Sequence, residues 1–340
     1  MDTRSSTVVT PRNSPQLPGL AFRRLRDEND YVQMAAVHAG SQVWDRIDPL
    51  SARESIPTAE DLADTFPEVE ARDNPNMLLA QVNDRVVGYN HVWWRWTEET
   101  GTRVYLHLGF LLPECRGKGI GSALLHWSQQ RIREIVQEEQ HQGPMTFATN
   151  VSSTEREADQ LIQHAGYTAV RRLSDMVLTP LTQLPHRQMP PDVILQPMKS
   201  EHYRDIYRAW KDAFAGIWTS TPESEEDYQE FLGDNIKLSS YDPTLNQVAW
   251  SQDQVIGFVF SRINKGIGTI PEVAVRKEWQ RRGIARALMI RALNTLYERG
   301  ISQVRLFTDA ANGQGARGLY EQLGFREVKQ HIFYRKPIDL

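Results

Sequence analysis

The chain has 340 residues, 40% hydrophobic and 24% charged, with a formal net charge of −4 and a single cysteine. That composition fits a soluble globular protein of about two domains at roughly 150 residues each, argues against nucleic acid as the main partner, and excludes both a disulfide framework and a cysteine-rich metal centre. One cysteine fits the reducing cytoplasm, and no apolar run of about 18 residues is present, so neither a membrane span nor a metal is expected.

Residues 1–19, rich in Ser, Thr, Pro and Asn, read as a disordered leader rather than a signal peptide. A first strand is expected over residues 20–27 and a helix from Asn29 or Asp30. Thr58-x-x-Asp61 resembles a capping box and predicts a helix to Thr65. Met77 to Val82 and Val86 to Trp96 read as strands around an Asn83-Asp84 turn. Trp94 and Trp96 fall on one face of the second and Trp93 on the other, as core or interdomain contacts. Val104 to Leu112 is a strand leading into a glycine-bearing loop, and a helix follows to about Glu139. Met145 to Thr149 is a strand. Ser152-x-x-Glu155 predicts a helix ending at Gly166, and Thr168 to Leu178 closes this half.

Four prolines between Thr179 and Pro191 mark a linker. The order then repeats. It runs through a strand over Val193 to Pro197, helices over His202 to Phe214 and Ser224 to Leu232, and strands over Val248 to Ser251 and Val255 to Ile263. The stretch Glu272 to Arg286 comes next, then a strand over Val304 to Thr308, a helix from Gly315 to Gln322 and a closing strand to Lys336. Met289, Ala292, Leu293 and Leu296 recur with helical spacing. Two copies are too few for a solenoid, so the expectation is two fused domains, 20–180 and 192–340, joined by 181–191.

The chemistry concentrates in two matching stretches. Arg116-x-x-Gly119-x-Gly121 corresponds to Gln280-x-x-Gly283-x-Ala285, each between a strand and a helix. A helix N-terminus offers unpaired N–H groups and a favourable dipole to an anion, and glycine lets the backbone approach a phosphate closely. Arg281 and Arg282 add positive charge. Each copy later carries a Gly-aromatic turn, Gly166-Tyr167 and Gly324-Phe325.

With these motifs in this order, each half resembles the GNAT superfamily of N-acetyltransferases. The fusion is similar to that of tandem acetyltransferases such as mycothiol synthase, a likeness of arrangement that implies no acceptor. The resemblance implies two α/β (α+β) folds, each a mixed, mostly antiparallel central sheet flanked by helices. It also implies acyl transfer from acetyl-CoA to a primary amine by direct attack. The donor would be held by Gln280, Arg281, Arg282, Gly283, Ile284, Ala285 and Arg286, by the strand residues Val273, Ala274 and Val275, and by Asn312. In the first half the matching set is Gly109, Phe110 and Leu111 with Arg116, Gly117, Lys118, Gly119, Ile120, Gly121 and Ser122. Tyr320 would be the acid for the departing thiolate and Glu272 the base. Trp218, in the loop where acceptors enter, would touch the acceptor, which could be a small amine, an amino sugar or a peptide. The acidic run Glu223, Glu225, Glu226 and Asp227 would then form a rim for a cationic amine, or else a solvated helix face. Tyr320 as plain packing, Glu272 as a surface carboxylate and Asn312 as a turn residue remain the structural alternatives.

The first half departs from the pattern. Leu108 stands where the second half has Glu272, and Ile162 where it has Tyr320. The expectation is a half that holds CoA without doing chemistry, with His107 as a displaced base the rival. Cys115, beside the loop, is either a small filler or a thiol activated by Lys118 and the helix. From a different class, the competing function is a non-catalytic acyl-CoA-binding or sensing protein.

Overall fold

The structure is a computed structural model that describes residues 8–67, 75–97, 101–215, 223–310 and 315–339, with the backbone alone at 93–96. The three tryptophan side chains of that stretch, 93, 94 and 96, therefore fall outside the described residues. The chain forms two compact units, Met1–Arg172 with Lys329–Leu340, and Leu173–Val328.

The first unit holds β1 Leu20–Arg23, α1 Glu28–Asp45, α2 Ala59–Thr65, β2 Met77–Val82, β3 Arg85–Thr97, β4 Arg103–Leu111, α3 Ile120–Glu139, β5 Met145–Ser152 and α4 Arg156–His164. The second holds most of β6 Thr168–Leu178, then β7 Ile194–Pro197, α5 Tyr203–Phe214, α6 Glu225–Asn235, β8 Gln247–Ser251, β9 Gln254–Asn264, β10 Ile267–Val275, α7 Ile284–Glu298, β11 Val304–Asp309 and α8 Ala316–Gln322. The last strand, β12 Arg326–Pro337, belongs mainly to the first unit. Each unit is a mixed, mostly antiparallel sheet flanked by helices, as expected. Among the described residues the parallel pair in the first unit is β4 with β5, and in the second β10 with β11.

Local chemistry explains most boundaries. Asn83 and Asp84 both take positive φ, 49° and 65°, the twist a two-residue hairpin needs. Thr58 and Asp61 form the reciprocal capping box at α2. Asp27 caps α1 by accepting from Asn29 N–H, which stops β1 at Arg23 instead of Asp27. The second expected capping box is half formed. Glu155 accepts from Ser152 N–H at 2.6 Å, but Ser152 ends β5 and α4 starts only at Arg156. On α7, Met289, Ala292, Leu293 and Leu296 are all fully buried, so the helical spacing does mark the core face.

One pairing differs from the plain two-copy reading. Leu173 to Leu178 of β6 pair with β11, and His331 to Pro337 of β12 pair with β5. The copies therefore exchange their closing strands. An alternating pattern defines which face of a strand is buried but not which ladder it joins, and main-chain bonds accept either strand.

Polar anchors hold β12 in the first unit. Lys329 Nζ lies 2.7 and 2.8 Å from the Glu54 carboxylate oxygens and 2.7 Å from Arg46 O, with both side chains 6% exposed. Removing one partner leaves a buried charge without compensation, which costs about 3–5 kcal/mol. Lys329→Ala should lower the unfolding free energy by that amount in urea titrations. A loss under about 1 kcal/mol would show that the pair contributes little.

Candidate active site

In the second unit the parallel pairing of β10 with β11 is confined to Gly268–Val304 and Thr269–Arg305. Beyond that point the two strands part. A bulge in β10 lies between Thr269 and Glu272, around Pro271, which has no N–H to give a ladder. Arg276 N–H points to β9, where it bonds Ile256 O at 2.9 Å. Strand alternation therefore turns the N–H groups of Val273 and Val275 to the opposite edge, the one that β11 leaves uncovered. Gly257 permits the close fit of β9 to β10, because a Cβ there would lie 2.8 Å from Ala274 O.

The glycine loop follows at once. Gly283 is the N-cap of α7 with φ +81°, and Arg281 also takes positive φ, +64°. The first helical bond of the turn runs from Ala287 N–H to Gly283 O, so the N–H groups of Ile284, Ala285 and Arg286 precede the ladder. Gln280 Nε2 donates to Val275 O at 3.0 Å and ties the loop to the open strand edge. The arginines are only partly free. The guanidinium of Arg282 lies 4.5 Å from the centre of the Trp279 ring, and Arg286 Nη1 donates to Gln322 Oε1. A strand edge without partners among the described residues, beside a row of loop amides, fits an extended ligand ending in a diphosphate. Gly283→Val forces a branched side chain into left-handed φ, a strain of about 1–3 kcal/mol in this loop. Affinity for a diphosphate ligand such as CoA should fall on the order of tenfold in calorimetric titration, and an unchanged affinity would exclude the loop from holding that group.

Glu272 stands on β10 at the bulge, half-buried and opposite Phe260. Its Oε1 accepts from Trp210 Nε1 of α5 at 3.1 Å, and its Oε2 is buried with no partner among the described residues. Burial pushes its pKa up to about 7, against the lowering effect of the Trp210 bond and of Arg262. A carboxyl in that range can take a proton near neutrality. Tyr320 lies on α8, 7% exposed, its ring edge-on to Phe325 at 6.1 Å. Burial raises its phenol to about 12, so it stays protonated. Asn312 and Trp218 lie outside the described residues.

The first unit has the same frame with different chemistry. β4 pairs with β5 only from Arg103 to Leu106, which leaves Gly109, Phe110 and Leu111 on the diverging part. Gly117 and Gly119 take φ of +70° and +84°, and Gly119 caps α3. Ile120 turns inward, whereas Gly117, Lys118 and Gly119 are exposed. Arg116, however, is committed. Its Nη1 and Nη2 bond the two Asp45 oxygens at 2.6 and 2.5 Å, and its Nε donates to Leu111 O. Pro15 lies against Gly119, 3.2 Å from where a Cβ would be. Leu108 faces His91 across the sheet, and Ile162 is buried among apolar side chains.

Two alternatives from the sequence also find their place. His107 shares a 2.7 Å hydrogen bond with Tyr167 Oη, and burial pulls its pKa down to about 3, too weak for a base at neutral pH. Cys115 is buried, and burial raises its thiol pKa ahead of any help from Lys118, so it is a core filler. In the second unit the acidic run is largely paired, Glu225 with Arg204 at 2.7 Å, Glu223 with Arg208 at 3.6 Å and Asp227 with Lys211 at 3.4 Å. That supports the solvated helix face over a rim for cations. Sequence reasoning missed Trp210, which folding sets against Glu272. The Tyr207, Trp210, Phe214 spacing on one helix face was the available signal.

The profile of the acetyltransferase (GNAT) family matches residues 44–140 and 203–325, well over half of the chain. The chain belongs to this family. It is similar to the mycothiol acetyltransferase of Nocardiopsis dassonvillei, at 26% identity over 286 residues covering 77% of this chain and 82% of that protein. The mycothiol acetyltransferase of Thermobispora bispora is 27% identical over 266 residues, 76% of this chain and 83% of that one. The GCN5-related N-acetyltransferase from Sphaerobacter thermophilus superposes with a TM-score of 0.71 at 23% identity, covering 96% of this chain and 99% of that one. A tandem GNAT protein from the clavulanic acid biosynthesis pathway gives a TM-score of 0.59 at 14% identity, covering 94% and 98%. At these identities the structures speak for the fold, a tandem GNAT arrangement. Among the described residues no helix is long and apolar enough to cross a membrane, and no cluster of metal-ligating side chains occurs.

Proposed function

We propose that this GNAT protein is a cytoplasmic, acetyl-CoA-dependent N-acetyltransferase acting on a primary amine, with its chemistry in the unit Leu173–Val328. The observation that carries the reading is Glu272. A half-buried carboxyl near pH 7 stands on the strand whose free edge adjoins the glycine loop. The mycothiol acetyltransferase names of the relatives favour a small-molecule acceptor.

In this reading the loop amides from Arg281 to Arg286 bind the donor's diphosphate. The main-chain groups of Val273 and Val275 hold its pantetheine arm as an added strand. Glu272 takes a proton from the amine as nitrogen attacks the thioester carbon. A β10 N–H stabilises the oxyanion, a contribution of about 10²–10³ in rate. Tyr320 donates a hydrogen bond to sulfur as negative charge develops there. Net proton transfer from a phenol near 12 to a thiolate whose acid form lies near 8.5 is uphill. The tyrosine therefore acts mainly as a hydrogen-bond donor while the carbon–sulfur bond breaks and CoA departs as the thiolate. The amine's proton held by Glu272 passes to solvent, from which the thiolate is protonated.

The unit with β4 and α3 is proposed to be non-catalytic, since Leu108 and Ile162 cannot move protons. Its donor-binding role is also proposed to be reduced, because the Arg116 charge is spent on Asp45. Calorimetric titration of the full chain with CoA should therefore give one site per chain; two equal sites would refute the asymmetry. The enzymatic reading is tested by thiol release from acetyl-CoA in the presence of an amine panel. Rates no higher than the amine-free blank across the panel would sink it.

A further inference from the structure

Phe258, Phe260 and Arg262 alternate onto one face of β9. On β10 they stand opposite Ala274, Glu272 and Thr269. Directly opposite residues share a face, so Arg262 and Glu272 lie on the same side, one rung apart and separated by roughly 7 Å along the strand. Phe258, Phe260 and Ala274 pack with Ile206 and Tyr207 of α5 and with Phe231 of α6. The face therefore looks into the layer formed by α5 and α6, where Trp210 meets Glu272.

Arg262 is half-buried. Its Nη2 donates to Asp234 O at 2.7 Å and to Asn235 Oδ1 at 3.2 Å, at the end of α6. That is a helix C-cap, and it uses one of three nitrogens. Nε is buried and has no partner among the described residues, and no described carboxylate forms an ion pair with the guanidinium. Asp234 contributes its carbonyl, while its carboxylate is exposed to solvent. Burial costs the guanidinium more than its neutral hydrogen-bond acceptors and the charges of Glu272 and Asp234, acting without an ion pair, return, and a directly bound carboxylate or phosphate would offset that deficit. A lysine would cap a helix as well, whereas the planar fork of arginine suits an oxyanion.

We propose that Arg262 receives an anionic group of the acceptor, a carboxylate or phosphate, while the acceptor's amine lies at Glu272. The acceptor class is then an amine bearing an oxyanion several bonds away. This rests on the acyl-transfer reading of the same site.

The test uses the full-length chain, acetyl-CoA and amine pairs that differ by one anion. Amino acids are set against their amides, and glucosamine 6-phosphate against glucosamine. In at least one pair the anionic member should be preferred on the order of 10- to 100-fold in kcat/KM, and the arm that responds tells carboxylate from phosphate. Arg262→Gln should bring that ratio close to one, chiefly through KM, and Arg262→Lys should retain part of it. Thermal unfolding run in parallel separates the capping role, which would lower Tm and leave the ratio intact. Thiol release with no charge preference in any pair, or a preference that survives Arg262→Gln, overturns the proposal alone. No thiol release with any amine overturns the acyl-transfer reading and this proposal together.

Discussion

Glu272→Gln is expected to lower kcat/KM by about 10²–10⁴, the usual contribution of a positioned general base. Glutamine keeps the size and can still accept from Trp210, so the loss reports proton transfer rather than packing. The pH profile is the sharper readout. A base must be unprotonated, so the wild-type rate should climb with pH through about 7, the pKa that burial imposes on Glu272, and level off above it. The variant should lack that limb. Trp210→Phe removes the hydrogen bond that favours the carboxylate, so it should move the limb to higher pH. Stability should respond in the opposite sense. The folded pKa of Glu272 lies above that of an unfolded carboxylate, so its contribution is fully present at acid pH and is lost as pH rises through about 7. Glu272→Gln should therefore be more stable than wild type at pH 8, measured by urea unfolding, while being slower. A variant with normal rate and an intact limb near pH 7 would remove Glu272 from the mechanism.

Tyr320→Phe is the second large effect, expected at about 10- to 100-fold in kcat with little change in the KM for either substrate. The figure follows from one hydrogen bond to a charged atom, worth about 1.5–3 kcal/mol, made as charge reaches sulfur. Because the ring packs against Phe325 in the core, phenylalanine should preserve the fold. Donor substrates provide the discriminating measurement. A thioester whose leaving thiol is more acidic needs less help, so the penalty of the substitution should shrink with it. Equal turnover by Tyr320→Phe would leave the residue a packing role only. A pKa near 12 predicts no alkaline limb from Tyr320 below pH 10.

Much of the site's frame was legible in the residues themselves. Glycine at a strand-to-helix junction has few reasons to recur twice in one chain, and its left-handed φ at Gly119 and Gly283 is a local necessity. Hairpin twist at Asn83-Asp84 and the capping box at Thr58 are likewise decided within four residues, so sequence sufficed. The contrast between Glu272 and Leu108, or Tyr320 and Ile162, needed only alignment of the chain with itself.

What only the tertiary structure decided involves partners far apart in the chain. A titratable group carries its ordinary pKa until folding removes water from it, and burial lifts Glu272 to about 7 against the opposing hydrogen bond that α5 supplies through Trp210. Arg116 looked as free as any loop arginine until Asp45 met it from α1. Arg262 is an unremarkable strand residue until pairing sets it near Glu272 and folding half-buries it with no ion pair among the described residues. The exchange of β6 and β12 has the same origin, since strand pattern records burial while pairing is a long-range choice among equivalent main-chain edges. Residue types and spacing thus determined the family and placed the two glycine loops, and they set Glu272 and Tyr320 in one half against Leu108 and Ile162 in the other. Desolvation and strand pairing decided how those groups titrate and which charges are left for a ligand.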